Sequence, residues 1–444
     1  MNKLTASLLL LAGTAMASPS ALVAQGMPAN LLPDEQGPVE QDSQDDDAVT
    51  SGTATGPVEL ASDPVVQQID PVVQQWSVAQ AQSLAAAIEG IAAHGLIPAD
   101  YDLAGLRAHI AAGPGATLDA EASKRFVWLV EDMRDGRTPM DGRKQWFVMD
   151  PDADRYRSGT VLKQALSDGD IMGALEGVAP LHPDYAALKA ELAKAQPGSK
   201  RYKLVQANMD RWRWLPRDLG HHYLITNVPE YQLRITVNDK IMKTYRTIVG
   251  KPGRTATPQL AESVEGVILN PNWTVPQSIV KGEGLGARVL NNPAWARAKG
   301  YTATRGANGY ISVVQGPGPG NALGRMKLDM PNRHAIFFHD TPSRNLFSQS
   351  NRALSHGCIR TERATELAFT LAILQAGLTA QEATDILASG EYTRIGFDTK
   401  MPAYITYFTM ATNIDGKMST FNDIYDRDAP VLAAFEAPRK ANRS

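Results

Sequence analysis

Cysteine is almost missing from this chain of 444 residues, in which Cys358 is the only one. A single thiol excludes an intramolecular disulfide framework, and it excludes zinc sites built from several cysteines. Cys358 lies in the segment Ser355–Arg360, of sequence SHGCIR. If the chain is exported, as its first residues indicate, the retention of one unpaired thiol favours a reactive role over a structural one.

Long apolar runs are also scarce, and the clearest one stands at the N-terminus. Lys3 is followed by the apolar stretch Leu4–Gly13 and then by the small residues around Ala15 and Ala17. This order is typical of an export signal cleaved after residue 17, and the stretch is short for a membrane span. An uncleaved anchor is the alternative. We expect an exported periplasmic or extracytoplasmic chain with no transmembrane segment after cleavage.

Positive charge is absent between Lys3 and Arg107, where there are 13 Asp and Glu residues. Residues 18–75 are rich in Pro, Gly, Ser and acid, which predicts a disordered acidic linker. From Arg107 onward the chain carries 43 basic and 34 acidic residues, a net charge of +9. This excess suits a polyanion such as cell-wall polymer, although dispersed charge that only maintains solubility explains it equally well. No nucleic-acid partner is expected.

The periodicity of apolar residues divides the remaining chain. Helical spacing over residues 76–200 predicts a small helical domain. From residue 201 to 438 the pattern changes to short alternating runs with a hairpin turn at Asn238-Asp239, which predicts a mostly-β domain. Residues 277–308 form a long excursion inside this domain, for which we predict a small folded lid. Residues 439–444 are predicted to be a tail. The predicted fold class is therefore α+β.

Cys358 and His339 suggest a nucleophile and a base. A cysteine attacks as its thiolate, so it needs a base or a positive environment. His339 closes the apolar strand predicted from Ala335, and a helix predicted over Thr365–Ala376 would direct its positive N-terminus toward the thiol. Gly357 permits a sharp turn whose amides could face an oxyanion. These features predict an acyl-transfer site.

Two other interpretations of the same residues remain open at this point. A buried cysteine is often an inert apolar residue, and a histidine at a strand end is often only a hydrogen-bonded structural group. A zinc site built from His334, His339, His356 and Cys358 is the other alternative.

The order of the motifs resembles that of the YkuD-type L,D-transpeptidases, in the large periplasmic YcbB-like branch. His339 is followed by 15 residues and then by the segment Ser355–Arg360. Further segments that resemble this branch are Asn208–Pro216, Val249–Pro252, Trp273–Pro276, Asn321–Gly324, His339–Pro342, Ile405–Tyr407 and Asp423–Tyr425. The branch often has a separate peptidoglycan-binding module, which we expect to be missing here because only Lys194–Arg201 lies between the two regions.

The resemblance implies a YkuD-like catalytic domain with a capping subdomain, preceded by a scaffold domain, in the periplasm of a Gram-negative bacterium. It implies 3-3 cross-linking of peptidoglycan tetrapeptide stems, donor and acceptor, through a cysteine thioester, without metal or other cofactor. An L,D-carboxypeptidase or endopeptidase using the same site is the alternative, and a non-catalytic wall-binding scaffold is another. Acylation by carbapenems is also implied.

The resemblance also implies roles for individual residues. Cys358 would be the nucleophile, His339 the general base, and Gly357 part of the oxyanion hole. The residues expected to bind substrate are Arg360, His356, Ser355 and Trp273. Many members of the branch carry serine where this chain has His356, and a core position is an equally good interpretation of Trp273.

Overall fold

The computed structural model describes residues 73–148 and 156–439. The predicted export signal and nearly all of the predicted acidic linker lie outside the described residues. No helix within these two ranges is both long enough and apolar enough to span a membrane.

The helices of the described residues are concentrated in the first half of the chain. They are α1 (Val78–Gly90), α2 (Leu103–Ala112), α3 (Ala116–Asp135), α4 (Ser158–Asp168), α5 (Ile171–Glu176), α6 (Pro183–Leu192), α7 (Lys200–Trp212), α8 (Gln277–Gly282), α9 (Leu285–Asn291), α10 (Pro293–Ala298), α11 (Ala364–Ala376), α12 (Ala380–Ser389) and α13 (Asp428–Glu436). The helical character predicted for residues 76–200 is confirmed, because apolar residues at helical spacing, such as Leu84 and Ile88, are buried.

The strands dominate the second half. They are β1 (Trp146–Phe147), β2 (His222–Asn227), β3 (Gln232–Val237), β4 (Lys240–Gly250), β5 (Gln259–Leu269), β6 (Trp273–Thr274), β7 (Tyr301–Arg305), β8 (Ile311–Gln315), β9 (Met326–Asp329), β10 (Phe338–His339), β11 (Ala353–Ser355), β12 (Ile359–Thr361), β13 (Thr393–Thr406), β14 (Met410–Thr412) and β15 (Met418–Thr420). The predicted α+β class is confirmed.

The main sheet closes on itself. Its strands follow the order β5, β13, β2, β3, β4, β12, β10 and β9, and β9 also pairs with β5. The predicted hairpin joins β3 to β4, and Asn238 and Asp239 both have positive φ, as a tight turn between such strands requires. The closed sheet brings β10 and β12, which carry His339 and the residues after Cys358, next to each other.

The helical region and the sheet share one apolar core. Buried residues of α1 and α3 belong to the same cluster as Tyr223 and Tyr404, which lie on β2 and β13. The short strand β1, which the sequence pattern did not predict, pairs in parallel with β5. Asp210 of α7, which is fully buried, accepts hydrogen bonds from the amides of Arg137 and Thr138 at 2.5 and 3.0 Å. The segment Asn208–Pro216 therefore connects α7 to the chain that follows α3.

The excursion after β5 folds as a small unit with its own core. The strands β6, β8 and β7 form a three-stranded sheet, and α8, α9 and α10 pack against it. Val275, Val280, Val289, Ala296 and Val313 make up the buried core of this unit. We call the residues from Trp273 to Gln315 the cap. The predicted range 277–308 lies inside it, and the exact domain boundaries stay predictions.

Candidate active site

A hydrogen-bonded turn between β11 and β12 presents Cys358. Gly357 has a φ of +117°, a conformation that side chains other than hydrogen disfavour. The hydroxyl of Ser355 donates to the carbonyl of Cys358 at 2.6 Å and accepts from the amide of Gly357 at 3.1 Å. Thr257 donates to the carbonyl of Gly357 at 2.7 Å. The turn is thus held from both sides.

His339 is on the neighbouring strand. In the parallel pair of β10 and β12, Phe338 is opposite Ile359 and His339 is opposite Arg360. Directly paired residues project from the same face of a sheet, so His339 and Arg360 share a face. Cys358 precedes Ile359 and donates from its thiol to the carbonyl of Ala335 at 3.5 Å. The structure therefore brings the predicted base and nucleophile to adjacent strands.

The orientation of the His339 ring is set by the chain itself. Its Nδ1 lies 2.5 Å from the carbonyl oxygen of Asp340, to which it donates. This bond leaves Nε2 as the acceptor. Asp340 is in turn held by the amide of Arg325 and by the guanidinium of Arg344.

Burial keeps both reacting groups neutral. Burial, together with the nearby charges of Arg360 and Lys327, lowers the pKa of His339 to about 3, although the hydrogen bond to the carbonyl of Asp340 opposes this. Burial also raises the pKa of the Cys358 thiol, although the amide of Phe337 and the charges of Lys327 and Arg360 oppose this. The resting pair is therefore a thiol and a neutral imidazole, a state suited to general-base transfer of the thiol proton during attack.

The helix that was expected to activate the thiol is present, and its effect on the thiol stays a prediction. The predicted helix exists as α11, but it begins at Ala364, after the strand β12. The predicted strand Ala335–His339 is also shorter than expected, because Ala335 has a φ of +51° and regular pairing begins at Phe338.

The donors of the expected oxyanion hole are only partly free. The amide of Gly357 already donates to Ser355. Among the described residues, the amide of Cys358 has no hydrogen-bond acceptor, so it is available to a developing oxyanion. The role of Gly357 in the oxyanion hole stays a prediction, and its observed part is to permit the turn.

The residues predicted to bind substrate lie in different environments. Ser355 is 2% exposed, and both its hydrogen-bonding directions are used inside the turn. His356 is exposed, and its Nε2 lies 3.2 Å from Glu283 of the cap. Trp273 is partly buried against the core of the cap, and its role in substrate binding stays a prediction. Arg360 is half-buried, and its buried Nε has no hydrogen-bond partner among the described residues.

Lys327 is a residue of this site that the sequence interpretation missed. It lies on β9, directly opposite His339 on β10. The pattern Met326, Leu328 and Met330 alternates with it and could have predicted a strand, but it does not reveal which strand lies alongside.

The four residues of the alternative zinc site are not assembled as metal ligands in the described part of the chain. Within residues 73–148 and 156–439, no three His, Cys, Asp or Glu side chains are grouped so as to hold a metal ion. His334 instead packs against Phe147, with 4.1 Å between the ring centroids.

The site combines a single cysteine with a histidine of fixed orientation, and two parts of the chain match known family profiles. Residues 221–379 match the family profile described as the L,D-transpeptidase catalytic domain, YkuD, and residues 74–192 match the one described as the Scaffold domain. The chain therefore carries a YkuD-type L,D-transpeptidase catalytic domain preceded by a scaffold domain. The resemblance to that family seen in the sequence is confirmed.

Individual relatives are similar to parts of the chain. A Haemophilus influenzae protein named "Putative L,D-transpeptidase" is 28% identical over 289 residues, which are 61% of this chain and 58% of that relative. The chain thus spans less than two thirds of that curated relative. Among solved structures, an L,D-transpeptidase from Mycobacterium smegmatis aligns with 42% of this chain and 58% of its own, at 13% identity and a TM-score of 0.21. L,D-transpeptidase 1 of Mycobacterium tuberculosis aligns with 42% of this chain and 61% of its own, at 11% identity and a TM-score of 0.19.

Proposed function

We propose that this protein is a peptidoglycan L,D-transpeptidase that forms 3-3 cross-links through a thioester on Cys358. The observation that carries the proposal is the placement of Cys358 in the turn that leads directly into β12, next to the paired strand β10 that carries His339, with Nδ1 of His339 bound to the carbonyl of Asp340. This arrangement supplies a nucleophile and an oriented base, while the free amide of Cys358 supplies a donor for an oxyanion.

In the first step, the Cys358 sulfur attacks the carbonyl at the L-centre of meso-diaminopimelate in a tetrapeptide stem. Nε2 of His339 takes the thiol proton and then gives it to the nitrogen of the departing D-alanine. The peptide bond is replaced by a thioester. In the second step, the side-chain amine of a neighbouring stem attacks the thioester, loses a proton to His339, and restores the thiol.

The proposal includes the setting of the reaction. We propose that the chain is exported to the periplasm of a Gram-negative bacterium, where peptidoglycan stems are the donors and acceptors and the links contribute to cell shape. Acylation of Cys358 by carbapenems is part of the proposal, because a strained β-lactam carbonyl is open to the same thiol attack.

Incubation of the protein with disaccharide-tetrapeptide, followed by mass spectrometry of the products, tests the proposal. Wild-type protein should yield dimers that have lost one D-alanine, and Cys358→Ala should yield none. Tripeptide and free D-alanine without dimers would instead support the L,D-carboxypeptidase alternative. Unchanged products from Cys358→Ala would rule out the cysteine mechanism.

A further inference from the structure

Two positive side chains border His339 on the catalytic face of the sheet. Lys327 on β9 and Arg360 on β12 are its two directly paired neighbours. Because adjacent strands are about 4.8 Å apart, the three residues form one row across the face, with the base in the middle. Neither cation forms an ion pair or a side-chain hydrogen bond with any described residue.

Lys327 is held in place by an aromatic ring instead of an acid. Its Nζ lies 3.9 Å from the centroid of the Phe337 ring, and that ring lies edge to face with His339 at 5.8 Å. Asp329, whose charge also acts on Lys327, is paired with Arg394 at 2.6 Å. A partly buried ammonium without an anionic partner is unfavourable, so this position favours a ligand that brings a negative charge.

The cations are not explained by activation of the thiol. They lower the pKa of Cys358, but burial outweighs them and the pKa stays raised. The same charges oppose protonation of His339, which a general base must undergo. An anionic group of the substrate bound beside Lys327 and Arg360 would offset their charges, and His339 could then be protonated more easily.

We propose that Lys327 is a specificity-determining residue that binds the free carboxylate of the leaving residue of the donor stem. The geometry follows from the reaction, and the inference therefore rests on the proposed function. His339 must lie within hydrogen-bond reach of the leaving nitrogen, and the carboxylate of a terminal amino acid is two bonds from that nitrogen. Lys327 stands directly beside His339 and has the length to reach that carboxylate.

The proposal predicts a preference for donors that end in a free acid. Two donor stems are compared, one ending in D-alanine and one ending in D-alaninamide, by measuring the rate of release of the terminal residue. In Lys327→Met, which retains the apolar stem over Phe337, kcat/KM for the acid should fall about 10- to 100-fold, as expected for loss of a charged hydrogen bond. Apart from any loss that the substitution causes for both donors, kcat/KM for the amide donor should change by less than about threefold. The ratio of kcat/KM for the acid donor to kcat/KM for the amide donor should therefore fall toward one.

The ratio separates binding of the carboxylate from the other effects of Lys327. A change in thiol reactivity or folding affects both donors equally and cancels in the ratio. Lys327→Arg retains the charge and should keep the preference for the donor that ends in a free acid. If Lys327→Met does not fold, Lys327→Gln takes its place in the comparison. Lys240→Gln, an exposed lysine at the start of β4, controls for the change in net charge.

An unchanged acid-to-amide ratio in Lys327→Met or Lys327→Gln would overturn the proposal. Release of the terminal residue occurs whether an amine or water resolves the thioester, so this result does not depend on the acceptor. Cys358→Ala should abolish release from both donors. Retained release in that variant would contradict the proposed function itself, whereas a lost preference in Lys327→Met alone supports the role of Lys327.

Discussion

Thr257 connects two parts of the catalytic turn at the scale of single residues. Its hydroxyl donates to the carbonyl of Gly357 at 2.7 Å and accepts from the amide of Gly250 at 2.8 Å. Thr257 is fully buried, so water cannot replace these bonds. The residue therefore positions the turn that carries Cys358 without contacting the reacting atoms itself.

Replacement of Thr257 by valine should lower both stability and activity. The change keeps the shape of the side chain but leaves a buried amide and a buried carbonyl without partners, at a cost of about 1 to 3 kcal/mol in the free energy of unfolding. We expect kcat for donor release to fall while KM changes little, because the nucleophile is displaced and the binding surface is not. Urea denaturation and steady-state kinetics measure the two effects.

Thr247→Val is the matched control for that variant. Thr247 is also fully buried, but its hydroxyl has no hydrogen-bond partner among the described residues. Loss of this hydroxyl should leave the free energy of unfolding unchanged or raise it slightly. Equal destabilisation by the two substitutions would show that the hydrogen bonds of Thr257 do not matter.

At the scale of elements, Glu283 of the cap contacts the catalytic turn at His356. Glu283, the residue after α8, lies 3.2 Å from Nε2 of His356, two residues before the nucleophile. Both side chains are partly exposed, which limits the value of such a pair to about 1 kcal/mol or less. The contact is weak enough to open and well placed to couple the cap to the turn.

Glu283→Gln should loosen the cap without unfolding it. We expect faster amide hydrogen exchange in α8 and α9, because the cap loses a contact to the rest of the catalytic domain. Glu265→Gln removes a comparably exposed acid of β5, which pairs with Lys400 instead of with a residue of the catalytic turn. Exchange in the cap that is unchanged by Glu283→Gln, or changed equally by the control, would contradict a coupling role for this contact.

For the whole molecule, the scaffold and catalytic regions form one packed unit. His94 lies within the helical part of the shared core, and its carbonyl accepts a hydrogen bond from Arg213 at the end of α7. Burial lowers the pKa of His94 to about 4, although Glu176 opposes this. The imidazole is therefore neutral at pH 7, and Lys189 lies 2.7 Å from its Nε2.

Stability should fall in acid because of this histidine. Below pH 6.5 the unfolded chain protonates His94 while the folded chain does so only near its pKa of about 4, so protons favour unfolding in between. The loss between pH 6.5 and 4.5 should be about 2 kcal/mol. Between pH 6.5 and 4.5, the free energy of unfolding of His94→Gln should fall by about 2 kcal/mol less than that of the wild type, as measured by urea denaturation at each pH. The exposed His221→Gln is the control, and a change as large in the control would contradict the assignment to His94.

The residues of the site differ in how far the sequence could predict them. Cys358, Gly357 and His339 were predictable because the reacting groups lie in short motifs with ordered spacing. The hairpin at Asn238-Asp239 was predictable for a similar reason, since local turn chemistry decides it. The placement of Lys327 beside His339, and of Glu283 beside His356, depends on pairings between segments far apart in the chain.

By itself, the sequence determined the helical and strand regions, the family, and the cysteine and histidine on which the proposed chemistry rests. These follow from local periodicity and from motif order, which each segment carries within itself. Only the tertiary structure decided that the sheet closes, that Lys327 and Arg360 border the base, and that Cys358 is kept as a thiol. Strand order, burial and the balance of charges are set by long-range packing, which no single segment contains.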